Sequence, residues 1–208
     1  MASLRRVFRA PIAALAVLVA AFGSDDLAAT RYWSLDGVQT LAVGLVDVVE
    51  FYHAGLDHYS ITGDPGEVQV LDLGTIAGWT RTGQVFQAYA IGSSPGAATN
   101  PVCRDFGVPV PGISSHLHSA NAVECYQVYV LFGTVWQIES DNVFQIDVPD
   151  SVGGCPGGTI PVYRLFNSQA DANHRYTTST TVRAQMEAAG WVREGYGPGG
   201  VVFCAIGP

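Results

Sequence analysis

The chain has 208 residues, 48% of them hydrophobic and 13% charged, with 24 Gly and 11 Pro. That balance excludes a disordered chain, which needs low hydrophobicity and high charge, and a coiled coil, which needs far more charge. A net charge of −8 argues against a nucleic-acid partner, and the lack of any lysine removes Schiff-base chemistry and a phosphate-loop lysine.

In chain order, Arg5, Arg6 and Arg9 come first, ahead of an apolar run from Pro11 to Phe22. A positive start before a short apolar stretch is the pattern of a secretory signal. Small residues follow at Ala20, Ala21, Gly23 and Ser24, then at Ala28 and Ala29. Residues 1–30 are therefore predicted to be a signal peptide cut near 23 or near 29. The alternative is a retained anchor, for which the run is short. The mature chain, 31–208, is predicted to be one domain with no membrane segment, and its place is secreted, periplasmic or cell-surface. Residues 31–47 are expected to add a lead-in strand.

Three stretches then follow one pattern, at about 48–92, 101–150 and 161–208. His58, His116 and His174 lie 58 residues apart, and Trp79, Trp136 and Trp191 follow them. Phe51, Phe106 and Phe166 hold similar places in the opening strands EFYH, CRDF and YRLF. Each stretch reads as an aromatic strand, a Gly/Pro/Asn/Asp-rich turn, a second strand (HYSIT, HLHSA, HRYTT), a helix and a closing strand. Asp64-Pro65 caps the first helix, and Thr181 is expected to precede the third, which stops at Gly190. A unit of roughly 50 residues cannot easily bury its own apolar face, and three packed together can. The fold class predicted is α+β, mainly β, with three strand–strand–helix–strand repeats in one compact pseudo-threefold domain.

Four cysteines fit no zinc spacing and suit an oxidising compartment. The pairing Cys103–Cys125 and Cys155–Cys204 is favoured, because each pair then lies in or beside one unit.

The order of a Tyr-Arg-Leu-Phe strand, Asn-His-aromatic-Tyr-Thr-Thr, a short helix, Gly-Trp and Glu-Gly resembles a bacterial secreted repeat family of unknown function. The third stretch carries it best, through Tyr163, Arg164, Leu165, Phe166, Asn173, His174, Tyr176, Thr177, Thr178, Gly190, Trp191, Glu194 and Gly195. The first matches at Phe51, Tyr52, Asp57, His58, Tyr59, Thr62, Gly78 and Trp79. The second departs most, with His118 where Tyr176 stands and no Gly before Trp136. Similar repeats often accompany secreted peptidases and cell-wall hydrolases. The resemblance therefore implies surface attachment or binding, without catalysis.

Asp57, His58, Tyr59, His116, His118, Asn173, His174 and Tyr176 are the candidate ligand-binding residues. Aromatic faces stack on the apolar faces of sugars, while His, Asn and Asp supply directional hydrogen bonds. In the bland reading each histidine fixes a turn and each tryptophan fills the core. His116-x-His118 and His53-x4-His58 are weak metal candidates, since the third stretch has one histidine only. No nucleophile elbow, phosphate loop or dinucleotide fingerprint occurs. The expectation is a non-catalytic surface module without cofactor or metal, a binder of glycan or cell-envelope polymer. The alternative is a structural or protein-interaction scaffold, and a metal-dependent hydrolase comes last.

Overall fold

The computed structural model describes residues 44–93, 99–108 and 113–207. The expected signal peptide, both cleavage points and most of the expected lead-in strand lie outside the described residues. Among the described residues the chain is mainly β, and no helix is long and apolar enough to cross a membrane.

The first segment comprises β1 (Leu45–His53), β2 (His58–Thr62), α1 (Pro65–Asp72) and β3 (Trp79–Tyr89). After β4 (Thr99–Pro101), the second comprises β5 (Cys103–Gly107), β6 (Ser115–Ser119), α2 (Ala122–Phe132), β7 (Trp136–Ser140) and β8 (Gln145–Asp147). The third comprises β9 (Thr159–Phe166), β10 (His174–Thr177), α3 (Thr180–Ala188), β11 (Val192–Glu194) and β12 (Val201–Ile206). In each segment the opening strand lies between two antiparallel partners: β1 between β2 and β3, β5 between β6 and β7, β9 between β10 and β11.

Local chemistry sets these boundaries. Asp57, Ser114 and Ala172, just before β2, β6 and β10, take positive φ of 55°, 45° and 50°. At the far end of the same strands, Thr62, Ser119 and Thr177 accept the backbone N–H of the residue two places on. That residue is the helix cap. Asp64 accepts from Glu67 N–H, Asn121 from Val123 and Glu124 N–H, and Ser179 from Val182 N–H. Each cap satisfies donors that a helix start leaves free. The third cap is thus Ser179, not Thr181. Every residue from Thr177 to Thr181 carries a hydroxyl, and the one placed to reach N3 takes the role. Glycine precedes Trp79 and Trp191 at φ 95° and 94°. At Gly78 a Cβ would come within 2.1 Å of His53 Nε2.

The main core holds Val48, Ile61, Phe86, Val102, Phe144, Ile146, Val162, Tyr176 and Phe203. β12 lies inside the nine-stranded sheet and pairs with β9, β8 and β3, so the last strand joins all three segments. Two disulfides take the favoured pairing. Cys103–Cys125 ties β5 to α2, and Cys155–Cys204 ties the loop before β9 to β12. The first matters locally because α2 buries none of its residues. In β1 and β9, Phe51 and Leu165 sit one place beyond Glu50 and Arg164, and Asp105 holds that place in β5. Burial pushes the Asp105 carboxyl up to about 6, with Glu124 and Glu139 adding to the effect.

The cross-strand register corrects one part of the sequence alignment. His116 faces Phe106 and His174 faces Phe166, but it is Tyr59 that faces Tyr52 at the matching place. His58 lies one residue earlier, in line with Ser115 and Asn173, while Phe51 faces Ser60. The even spacing of 58 is a coincidence of count. From Thr62 to Ser119 is 57 residues, and from Ser119 to Thr177 is 58.

Candidate functional site

The second strands β2, β6 and β10 bring most of the candidate residues to one place. Asn173 is fully buried. Its Oδ1 accepts from Tyr59 N–H at 2.8 Å, and its Nδ2 donates to Tyr59 O at 2.9 Å and to Ser115 Oγ at 3.0 Å. One side chain on β10 therefore fastens β2 and β6. Tyr176, also buried, donates its hydroxyl to His118 O and accepts from His118 N–H. His58 Nδ1 lies 2.9 Å from Ser114 O and Nε2 lies 3.0 Å from Asp171 Oδ2. Both neighbours are acceptors, so both bonds form together only on the doubly protonated ring. The Asp171 carboxyl is below its usual range, because bonds from His58 and Asn167 outweigh burial.

Around this centre run three seams. At the seam of the first and second segments, Arg104 reaches Glu67 at 2.7 Å and Glu139 at 2.8 Å. At the second–third seam, Arg164 grips both oxygens of Glu124 and reaches Glu194 at 3.0 Å. At the third–first seam the polarity is reversed: Arg175 donates from Nε and Nη2 to the two oxygens of buried Glu50, which also accepts from Thr82. His116 and His174 join these groups through Glu139 and Glu194, each at 3.2 Å. Burial lowers the His174 pKa even against the pull of Glu194. The Glu194 carboxyl is nevertheless held down, since His174 and Arg164 outweigh its own burial.

The eight candidates thus divide. His58, His118, Asn173, His174 and Tyr176 are buried. Asp57 is exposed, and Tyr59 and His116 are half-buried. Tyr59 lies 4.8 Å from Tyr52 and 5.9 Å from Trp191, with the Arg175 guanidinium 4.0 Å over its face. Asp57 accepts from the Tyr52 hydroxyl. His116 and His118 rings lie 6.4 Å apart, and among the described residues no three His, Cys, Asp or Glu side chains group as a metal site.

Sequence reasoning missed the seam carboxylates Glu50, Glu67, Glu124 and Glu139. A signal existed: an arginine follows the first residue of both CRDF and YRLF, and a glutamate stands three places after Trp136 and Trp191.

A family described as a domain of unknown function (DUF5648) matches residues 152–200. The DUF5648 match holds β9, β10, α3 and β11, and so Arg164, Asn173, His174 and Glu194. No curated protein and no solved structure matches the chain.

His118 differs from its neighbours. It is fully buried, neither ring nitrogen has a partner among the described residues, and burial holds its pKa well below 6.5. Ile61 and Tyr176 hold the matching places on β2 and β10. His118→Ile is expected to stabilise the chain by about 1–2 kcal/mol at pH 7, by removing two unpaired polar atoms. In the parent, the unfolded ring binds a proton before the folded one does. Its contribution is therefore present above about pH 6.5 and lost as pH falls. Urea unfolding at pH 7 and 5 checks both points: the variant must gain at pH 7 and gain more at pH 5.

Proposed function

We propose that the chain is an exported, non-catalytic interaction module made of three copies of one strand–strand–helix–strand unit about a pseudo-threefold axis. The histidine motif is its internal fastening, and partners meet the surface left between the units. The observation that carries this reading is Asn173, which is buried and bonds from one segment to the other two. The matching turns, caps and register of the three segments support the repetition. The two disulfides and the described helices, none of them long and apolar enough to span a membrane, fit an oxidising, extracytoplasmic place. The seam carboxylates support a non-catalytic role, because arginine, histidine and hydroxyl partners already hold them.

Asn173→Ala tests the fastening. Losing three hydrogen bonds and stranding the Tyr59 N–H is expected to cost about 2–3 kcal/mol in urea unfolding. Asn173→Ala and His174→Ala variants as stable as the parent, but unable to hold a ligand the parent binds, would sink the scaffold reading.

A second reading is favoured by the half-buried rings of Tyr52, Tyr59 and Trp191 beside exposed Asp57. Such a shelf suits weak binding of glycan or cell-envelope polymer, with avidity where sites recur.

A further inference from the structure

We propose that two clefts, one at the first–second seam and one at the second–third seam, bind neutral sugar residues of a polysaccharide. Their volumes are about 450 and 550 Å³, within the range of small-ligand sites. The assignment rests on the glycan reading for its ligand class, and it places the site away from the histidine motif and from the Tyr59 shelf.

The two clefts are built alike. Thr62, Asp64, Glu67 and Arg104 line the first; Ser119, Asn121, Glu124 and Arg164 line the second. These are the same four places in consecutive segments: turn hydroxyl, helix cap, first-turn glutamate and strand arginine. At the third seam Val182 stands where the glutamate would, and Glu50 where the arginine would. Two of the three seams therefore carry the cleft chemistry, and the third carries the Glu50–Arg175 pair instead.

Charge decides the ligand class. Each cleft floor has one arginine, already paired with two carboxylates. An anionic ligand would find no free cation there and would face a net negative floor. A cationic ligand would find Glu67 and Glu124 held by guanidinium and hydroxyl donors, and Asp64 engaged by the Glu67 N–H as the helix cap. What remains to bind is polar and uncharged. In the larger cleft Asn121 donates to the Tyr196 hydroxyl, and Asn100 and Gln127 stand beside them. Tyr196 is 37% exposed and offers a ring face to the C–H side of a sugar. The smaller cleft sets Ser140 and Asn142 against Ile91, which is 63% exposed. Amide and hydroxyl groups facing an apolar wall match a neutral pyranose, which has hydroxyls at its edge and an apolar face.

The test uses the oxidised, isotope-labelled chain titrated with chitotriose, cellotriose and triguluronate, alongside retention on chitin, cellulose and peptidoglycan sacculi. The expected result is shifts in the side-chain amides of Asn121, Gln127 and Asn142 with a neutral trisaccharide and none with the anionic one. Gln127→Ala, on the exposed face of α2, is expected to weaken binding at the larger cleft about five- to tenfold with melting unchanged. Shifts at Tyr59 and Trp191 with Gln127→Ala binding normally overturn the clefts and leave the glycan reading standing. Tighter binding of the anionic sugar overturns the ligand class. No shift and no retention on any of the three polymers overturns the clefts together with the glycan reading.

Discussion

Replacing Arg164 by leucine is expected to destabilise the chain by about 3–5 kcal/mol at pH 7. The guanidinium is 5% exposed and bonds two carboxylates from two other elements, α2 and β11. Leucine fills much of the volume but leaves Glu124 and Glu194 beside each other without a cation. Both carboxyls now sit below their usual range. In Glu124, burial pushes upward and the Arg164 and Ser119 bonds more than reverse it. Depressed carboxyls contribute stability above their unfolded pKa and lose it as pH falls through the folded one. Without Arg164 the shift reverses sign, so the variant's deficit must shrink between pH 7 and about pH 4. Urea unfolding across that range measures this. A deficit that stays constant with pH would mean the arginine acts through packing alone. Arg164→Leu combined with Glu124→Gln and Glu194→Gln is expected to recover much of the loss, because buried ion pairs exchanged whole for uncharged groups cost little. Full loss in that combination would argue against an electrostatic cause.

The second large effect is separable in space. The Cys155–Cys204 bond closes a separation of 49 residues and Cys103–Cys125 one of 22. Loop-closure entropy assigns them about 4 and about 3 kcal/mol. Their consequences should differ in kind. Cys204 is fully buried in β12, so Cys155→Ser with Cys204→Ser is expected to lower the global midpoint. Cys125 lies on α2, which buries none of its residues. Cys103→Ser with Cys125→Ser is expected to release α2 first. Hydrogen exchange reads the difference: α2 amides lose protection while β9 and β12 amides keep theirs. Equal loss across both elements would show that the Arg164–Glu124 bonds keep α2 in place without the tether.

The parts legible in the sequence are those fixed by neighbours along the chain. Asp64-Pro65 was readable as a cap because the carboxylate and the N–H it serves are three residues apart. The cysteine pairing was favoured because each pair lies in or beside one unit, and the disulfides take it. The histidine alignment failed for a related reason. Spacing was counted between like residues, whereas register is set by the left-handed residue before each second strand and the hydroxyl turn after it. The seam pairs join residues 37, 40 and 125 apart, so no local window contains them. The reversed third pair hid the pattern further, because Glu50 and Arg164 do not look like equivalents until the strands are laid side by side.

The position of β12 carries a consequence for how the molecule is made. Residue 206 pairs with residue 87, and Cys204 with Asp147. A chain emerging from a ribosome or an export channel, amino end first, cannot seal its main core until Phe203 is free to enter it. Until then the cluster of Val48, Val102 and Val162 lacks Val202, Phe203 and Ala205. Such distant pairing slows folding and prolongs the exposed state. Arrival of β12 is thus the trigger for closure, and the Cys155–Cys204 crosslink is the covalent mark that closure has occurred. A product cut short before Val201 would lack both, and proteolysis should remove it while a chain that carries β12 survives.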